Sequence, residues 1–170
     1  NWGPITGSDA TAGEVWGDSD IGGLVGENYG TIDTSYSTDN VYGDSDSDNI
    51  GGLVGYNEDT ITDSYANGNV YGGDDPYDVG GLVGYNEDTI TISHATGDVY
   101  GYTDTGGLVG YNDYSVTDSY ATGDVDGTWD VGGLIGHNEG STVDDSHSTG
   151  FSYGNDDVGG LVGENWGPST

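Results

Sequence analysis

The segment Gly-Gly-Leu-Val-Gly, or its near copy Gly-Gly-Leu-Ile-Gly, opens at Gly22, Gly51, Gly80, Gly106, Gly132 and Gly159, so successive openings lie 29, 29, 26, 26 and 27 residues apart. Self-similarity at such a period restricts a chain to a solenoid or an array, because one unit of this size cannot bury its apolar face alone. The agreement runs well past the glycines. Asn28, Asn57, Asn86, Asn112, Asn138 and Asn165 each stand six residues after an opening glycine. An aliphatic column follows (Ile32, Ile61, Ile90, Val116, Val143), then a hydroxyl column (Ser35, Ser64, Ser93, Ser119, Ser146). A flat-ring column comes next (Tyr36, Tyr65, His94, Tyr120, His147), and then a small residue at Ser37, Ala66, Ala95, Ala121 and Ser148. Length varies only after the turn that closes each unit, at Asp44 to Asn49 and Gly73 to Asp78, which marks the loop that tolerates insertion.

Val, Ile, Thr and Tyr fill the runs, Gly and Asp punctuate them, and no apolar pattern at helical spacing lasts long enough for a helix. The unit is about one circuit of a parallel β-helix, each circuit lying roughly 4.8 Å above the last. The fold expected is therefore all-β: a parallel β-solenoid of about six circuits, right-handed by the crossover rule for parallel strands. It is one domain over residues 1–170, with a partial unit at 1–21, units starting at 22, 51, 80, 106 and 132, and a partial unit at 159–170. Stacking places identical residues above one another, so the asparagines are expected to form an amide ladder at a sharp turn. The core is expected to hold Leu24, Leu53, Leu82, Leu108 and Leu134 or their Val neighbours, with the Ile/Val column. Strand alternation admits only one of Leu and Val inside, and the pattern does not say which.

The units Val79-Gly80-Gly81-Leu82-Val83-Gly84-Tyr85-Asn86 and Ile90-Thr91-Ile92-Ser93-His94-Ala95-Thr96-Gly97-Asp98-Val99 resemble the GLUG-motif repeat. That repeat is known from bacterial and archaeal surface proteins, from adhesin-like proteins and from the non-catalytic parts of some secreted immunoglobulin A peptidases. The resemblance covers nearly the whole chain and implies a surface-exposed β-solenoid scaffold. The peptidase members carry their chemistry in a separate zinc domain with a His-Glu-x-x-His helix, a motif missing from these 170 residues.

Charge is the second strong constraint. There are 31 acidic residues and no Lys or Arg, a formal charge of −31. On a rod only about 30 Å long such a charge repels itself severely in dilute salt, and the repulsion fades when molar salt shortens the Debye length to about 3 Å. This points to a halophile. A chain without Lys or Arg offers no phosphate-binding surface, which argues against nucleic acid and anionic membranes as partners. No apolar run reaches the roughly 18 residues of a membrane span. There is no Cys and no Asn-x-Ser/Thr sequon.

The opening Asn1-Trp2-Gly3-Pro4 is repeated as Asn165-Trp166-Gly167-Pro168, and neither end shows an atypical polar unit of the kind that caps a solenoid. These eight residues are the expected self-association surface. Two readings follow: subunits stacking head to tail into an open filament, or a window on a longer solenoid. The partner expected is therefore another copy of the chain, with surface glycans as a second possibility.

No catalytic residue and no cofactor-binding residue is assigned, and no cofactor is required. Asp44, Asp46 and Asp48 have the i, i+2, i+4 spacing that wraps oxygens around Ca²⁺, although Asn49 stands where an EF-hand needs Gly and Gly55 where it needs Glu. Asp18, Asp20, Asp74, Asp75, Asp78, Asp104, Asp130, Asp156 and Asp157 occupy the matching turn elsewhere. Ca²⁺ or condensed monovalent cations are the counter-ions expected at these turns, since stacked carboxylates repel. His94, His137 and His147 replace Tyr in Tyr columns and are read as flat-ring substitutions. The turn aromatics Trp16, Trp129, Trp166, Tyr29, Tyr42, Tyr71 and Tyr100 suit either sugar stacking or strand stacking. Hydrolysis needs one singular carboxylate pair in a cleft. Here the carboxylates follow the repeat and no long insertion builds a cleft, so no enzyme is expected. The function expected is the structural subunit of an extracellular filament or surface fibre of a halophilic microbe. The alternative is a glycan- or cell-binding stalk of a larger surface adhesin.

Overall fold

A computed structural model of the chain describes residues 1–11, 13–139 and 142–167. Every strand pairing in it is parallel, and every pair joins residues one repeat apart: Ile61 with Ile90, Tyr65 with His94, Val70 with Val99, Val83 with Val109. The chain is a β-solenoid of six circuits with no helix among the described residues. Three six-stranded sheets and one ten-stranded sheet wrap it. In the third circuit the strands are Ile61–Thr62, Tyr65–Ala66, Val70–Tyr71, Tyr77–Gly80 and Val83–Asn86. The first two circuits run the third and fourth of these together, as Glu14–Gly22 and Asn40–Gly51, which is how the ten-stranded sheet arises.

Left-handed residues make two of the corners. One column comprises Asp20, Asn49, Asp78, Asp104, Asp130 and Asp157, the other Thr34, Asp63, Ile92, Asp118 and Asp145 with Gly7, all at φ between 44° and 57°. Asp and Asn tolerate this region better than other L-residues because their short side chains bond locally, which explains the recurring Asp two residues before each opening glycine. Ile92 occupies the region with no such help; nothing in the structure explains it.

The serine column closes the second corner. Ser64 Oγ donates to the Thr62 carbonyl at 2.8 Å and accepts the backbone N–H of Ser35 from the circuit below at 3.1 Å. The same pair of bonds recurs at Ser35, Ser93, Ser119 and Ser146. The asparagine ladder forms as expected. Nδ2 of each residue donates to Oδ1 of the next along Asn1, Asn28, Asn57, Asn86, Asn112, Asn138 and Asn165, at 2.7–2.8 Å throughout. These amides are buried from Asn28 to Asn138, where an unpaired polar group costs about 1–3 kcal/mol.

Leu and Val both face inward. Leu53, Leu82, Leu108 and Leu134 are fully buried, and so are their neighbours Val54, Val83, Val109 and Ile135. The alternation expected from a strand fails because Gly-Gly-Leu-Val is a bend. Strands stop at Gly51 and restart at Val54, and a Cβ on Gly51 would lie 1.9 Å from the Val54 carbonyl oxygen. The interior divides in two. One core stacks these Leu/Val pairs on the Ile32, Ile61, Ile90, Val116 column; the other stacks Val41, Val70, Val99 and Val125 on Ile21, Ile50, Val79 and Val131.

Candidate functional site

Three columns of side chains line one edge of the rod. The left-handed column runs Asp20, Asn49, Asp78, Asp104, Asp130, Asp157. Beside it, on the strands that follow the Gly-Gly-Leu-Val bend, run Glu27, Tyr56, Tyr85, Tyr111, His137 and Glu164. Just past the asparagine ladder come Trp2, Tyr29, Glu58, Glu87, Asp113, Glu139 and Trp166. The first two columns meet because the last glycine of each motif has no side chain: a Cβ on Gly136 would stand 2.5 Å from the carbonyl carbon of Asp104.

Low-dielectric surroundings and like charges act on these acids together. Burial pushes the Asp78 carboxyl well above the usual carboxylate range, against a hydrogen bond with Asp104 that lowers it. Burial also raises Asp104, reinforced by Asp78 and opposed by His137. Asp130 is raised by burial and by Glu164. Lower in the edge Asn49 relieves the crowding, its Nδ2 donating to Asp20 Oδ1 at 2.8 Å. The tyrosines also lean on carboxylates. Tyr56 hydroxyl donates to Glu58 or Glu87 at 3.0 and 2.8 Å, Tyr85 to Asp113 at 3.2 Å, and Tyr111 to Glu139. Burial and these bonds hold all three phenols above their ordinary range.

Asp44, Asp46 and Asp48 lie exposed on the long strand Asn40–Gly51, where the register slips opposite Gly17 to Ser19. Ser47, between two of them, turns inward and bonds the Asp44 carbonyl. Among the described residues the sets of three potential ligands brought within 4.8 Å of one another lie elsewhere: Asp104, Asp130 and His137, and Asp130, Asp157 and Glu164. His137 Nδ1 stands 3.1 Å from Glu164 Oε2 and 3.9 Å from Asp104 Oδ1. Sequence reasoning read His137 as a ring substitute only. The missed signal was the acidic column beside it and the Glu164 one repeat on.

All three histidines do act as rings. His94 lies between Tyr65 and Tyr120 at centroid distances of 5.0 and 4.7 Å, His147 stacks on Tyr120 at 5.4 Å, and His137 on Tyr111 at 4.8 Å. Burial lowers the pKa of His94 against the pull of Asp63. Trp16, Tyr42, Tyr71 and Tyr100 form another column, 4.3–5.1 Å apart and within 10° of parallel. Stacking uses up the ring faces in these columns and leaves edges and hydroxyls to solvent. Trp129 is exposed outside any such stack.

Asn1 and Asn165 sit on the same ladder at opposite ends of the rod. Trp2 beside the first is 84% exposed and stacks one face on Tyr29 at 4.5 Å; Trp166 beside the last is 64% exposed and leans on His137. Gly3 and Pro4 follow Trp2 in the first circuit, Gly167 follows Trp166, and Pro168 lies outside the described residues.

The family model of the GLUG motif matches residues 17–42, 46–71, 75–100, 101–126 and 127–152, five matches that together cover most of the chain. The chain belongs to the GLUG-motif family. Comparison with curated proteins and with solved structures finds no match. Each GLUG match corresponds to one circuit of strands, taken from the closing turn of one unit through the Asn and Ser columns of the next. A GLUG-repeat β-solenoid is a structural repeat architecture of the kind found in repetitive surface-type proteins. No helix among the described residues is long and apolar enough to cross a membrane.

Proposed function

We propose that this GLUG solenoid is the structural rod of an extracellular filament or surface fibre of a salt-adapted microbe, built by in-register stacking of like circuits. One observation carries the reading: every circuit repeats the same Asn, Ser and aliphatic columns in parallel register with its neighbour, so like circuits stack without any new kind of contact. Val158 and Leu161 are 45% and 39% exposed, whereas Val131 and Leu134 one circuit below are 0% exposed. Beside them opens a hollow of about 430 Å³ lined by Asn138, Val143, Leu161, Val162 and Asn165. At the other end Ile5, Leu24 and Val25 are only partly covered. The strands Val143–Asp144, His147–Ser148 and Val162–Asn165 have the register of Ile5–Thr6, Asp9–Ala10 and Val25–Asn28. Further circuits of this kind, on the same chain or on another copy, extend all four sheets, and between copies such a contact does not close.

In that joint Asn165 Nδ2 donates to Asn28 Oδ1 of the incoming copy. The glycan-binding stalk has less support, because a sugar stacks on a ring face, the columns spend theirs on each other, and Trp129, exposed outside them, stands singly. Electron microscopy and light scattering of the chain in molar salt test the proposal. Rods many times the length of six circuits, shortened by Leu161→Asp, are expected. Single rods at every concentration overturn it.

A further inference from the structure

One circuit of the acidic edge differs in kind from the rest. In the column Glu27, Tyr56, Tyr85, Tyr111, His137, Glu164, only His137 brings a nitrogen donor. Its ring is fixed by stacking on Tyr111, 4° from parallel, and its Nδ1 points at carboxylates from the circuits on either side, Asp104 from below and Glu164 from above. Asp130 of its own circuit completes the group, with ligand atoms of Asp104, Asp130 and His137 all within 4.8 Å of one another. His137 and Asp104 side chains are each 14% exposed.

We propose that Asp104, Asp130 and His137, with Glu164 3.1 Å from the same imidazole nitrogen, form a binding site for a divalent first-row cation of the Mn²⁺ or Zn²⁺ type, built across three successive circuits. The donor set is one imidazole nitrogen and three carboxylates. Imidazole favours this class over Ca²⁺ and Mg²⁺, which prefer oxygen alone. The site is preformed: strand pairing fixes the Asp corners, the bare Gly136 lets them approach the His137 strand, and the stack sets the ring. Ligands locked by their surroundings lose little freedom on binding. Charge adds a reason. With no Lys or Arg in the chain, no permanently charged side chain offsets these acids, and a bound divalent ion does. Tyr occupies the equivalent place in three other circuits and spends its hydroxyl on Glu87, Asp113 or Glu139, so the site is single and does not run along the edge. The inference is independent of filament growth.

The test uses a His94→Tyr/His147→Tyr background, each substitution restoring the ring that neighbouring circuits carry, so that His137 is the one imidazole. Titration with Mn²⁺ or Zn²⁺ in NaCl of about 1 M, where diffuse condensation is screened, is read by calorimetry and by Mn²⁺ broadening of the imidazole NMR signals. One ion per chain is expected, with the His137 signals broadened at substoichiometric Mn²⁺. His137→Tyr, a ring already accepted in this column, and Glu164→Gln each lower affinity about tenfold or more. Asp44→Asn/Asp46→Asn/Asp48→Asn leaves binding unchanged. Equal affinity in His137→Tyr, uptake that scales with total carboxylates and vanishes in salt, or loss in the Asp44 triple variant would each overturn the proposal.

Discussion

Asn57 and Asn86 share a fully buried side-chain hydrogen bond, Nδ2 of Asn57 to Oδ1 of Asn86 at 2.8 Å, while the second Asn57 proton goes to the Asp59 carbonyl at 2.6 Å. Asn86 repeats the arrangement toward Asn112 and Asp88. Replacing Asn86 by Ala strands a donor on Asn57 and the acceptor at the Asp88 carbonyl. At about 1–3 kcal/mol for each buried group left unpaired, Asn86→Ala is expected to cost on the order of 3 kcal/mol, read from urea denaturation. Asn1→Ala, in the first circuit, is expected to cost under about 1 kcal/mol, since Asn1 is itself exposed and its truncation lets water in to Asn28 Oδ1.

Burial differs along the rod, and so should the cost of truncation. Leu82→Ala empties a fully buried site and is expected to destabilise by about 2–5 kcal/mol. Leu24→Ala, in the first circuit and only partly buried, should cost clearly less. Equal losses in thermal melts would contradict the described end.

Gly136 meets backbone that cannot move aside, since its Cβ would lie 2.5 Å from both the Asp104 carbonyl carbon and the Thr105 nitrogen. Gly136→Ala is expected to destabilise by about 3 kcal/mol or more through overpacking. Gly13, with nothing within 4 Å of its Cβ, should accept Ala within about 0.5 kcal/mol. Circular dichroism melts of the two variants check the contrast.

The acidic edge gives stability a pH slope. Burial raises Asp78 to about 7 and Asp104 to about 8 in the folded rod, against about 4 in the unfolded chain. The folded state therefore binds protons that the unfolded state has shed, and stability falls as pH rises from about 4 to about 8. Asp78→Asn/Asp104→Asn should flatten that slope in melts run across the interval without divalent ions. An unchanged slope would assign it to the general charge.

Charge also predicts a salt requirement. Thirty-one acidic residues without Lys or Arg, stacked in columns, repel across about 10 Å at roughly 0.1 M salt and about 3 Å at roughly 1 M. The midpoint of unfolding should climb over that range with NaCl and KCl alike. A flat response would remove the support for a salt-adapted source.

Much of this was legible without coordinates. The period fixed the parallel register, and the recurring Asn, Ser and aliphatic positions named the ladders and one wall of the core, because in-register stacking forces like onto like. The Leu/Val question was not legible: alternation holds for a straight strand, and a glycine bend between Gly51 and Val54 breaks it. The convergence at His137 was hidden for a similar reason. Asp104, Asp130 and Glu164 sit in three different units, and only the approach of one corner to the neighbouring strand across Gly136 makes them neighbours.

By itself, then, the sequence determined what stacks on what along the axis, since a repeat is a statement about equivalent positions one circuit apart. The tertiary structure alone decided what meets across a circuit: two cores in place of one, ring faces spent on each other, and an imidazole aimed into carboxylates. Those contacts depend on the angles of the corners, and corner angles are set by left-handed Asp residues and close glycine contacts whose geometry no periodicity encodes.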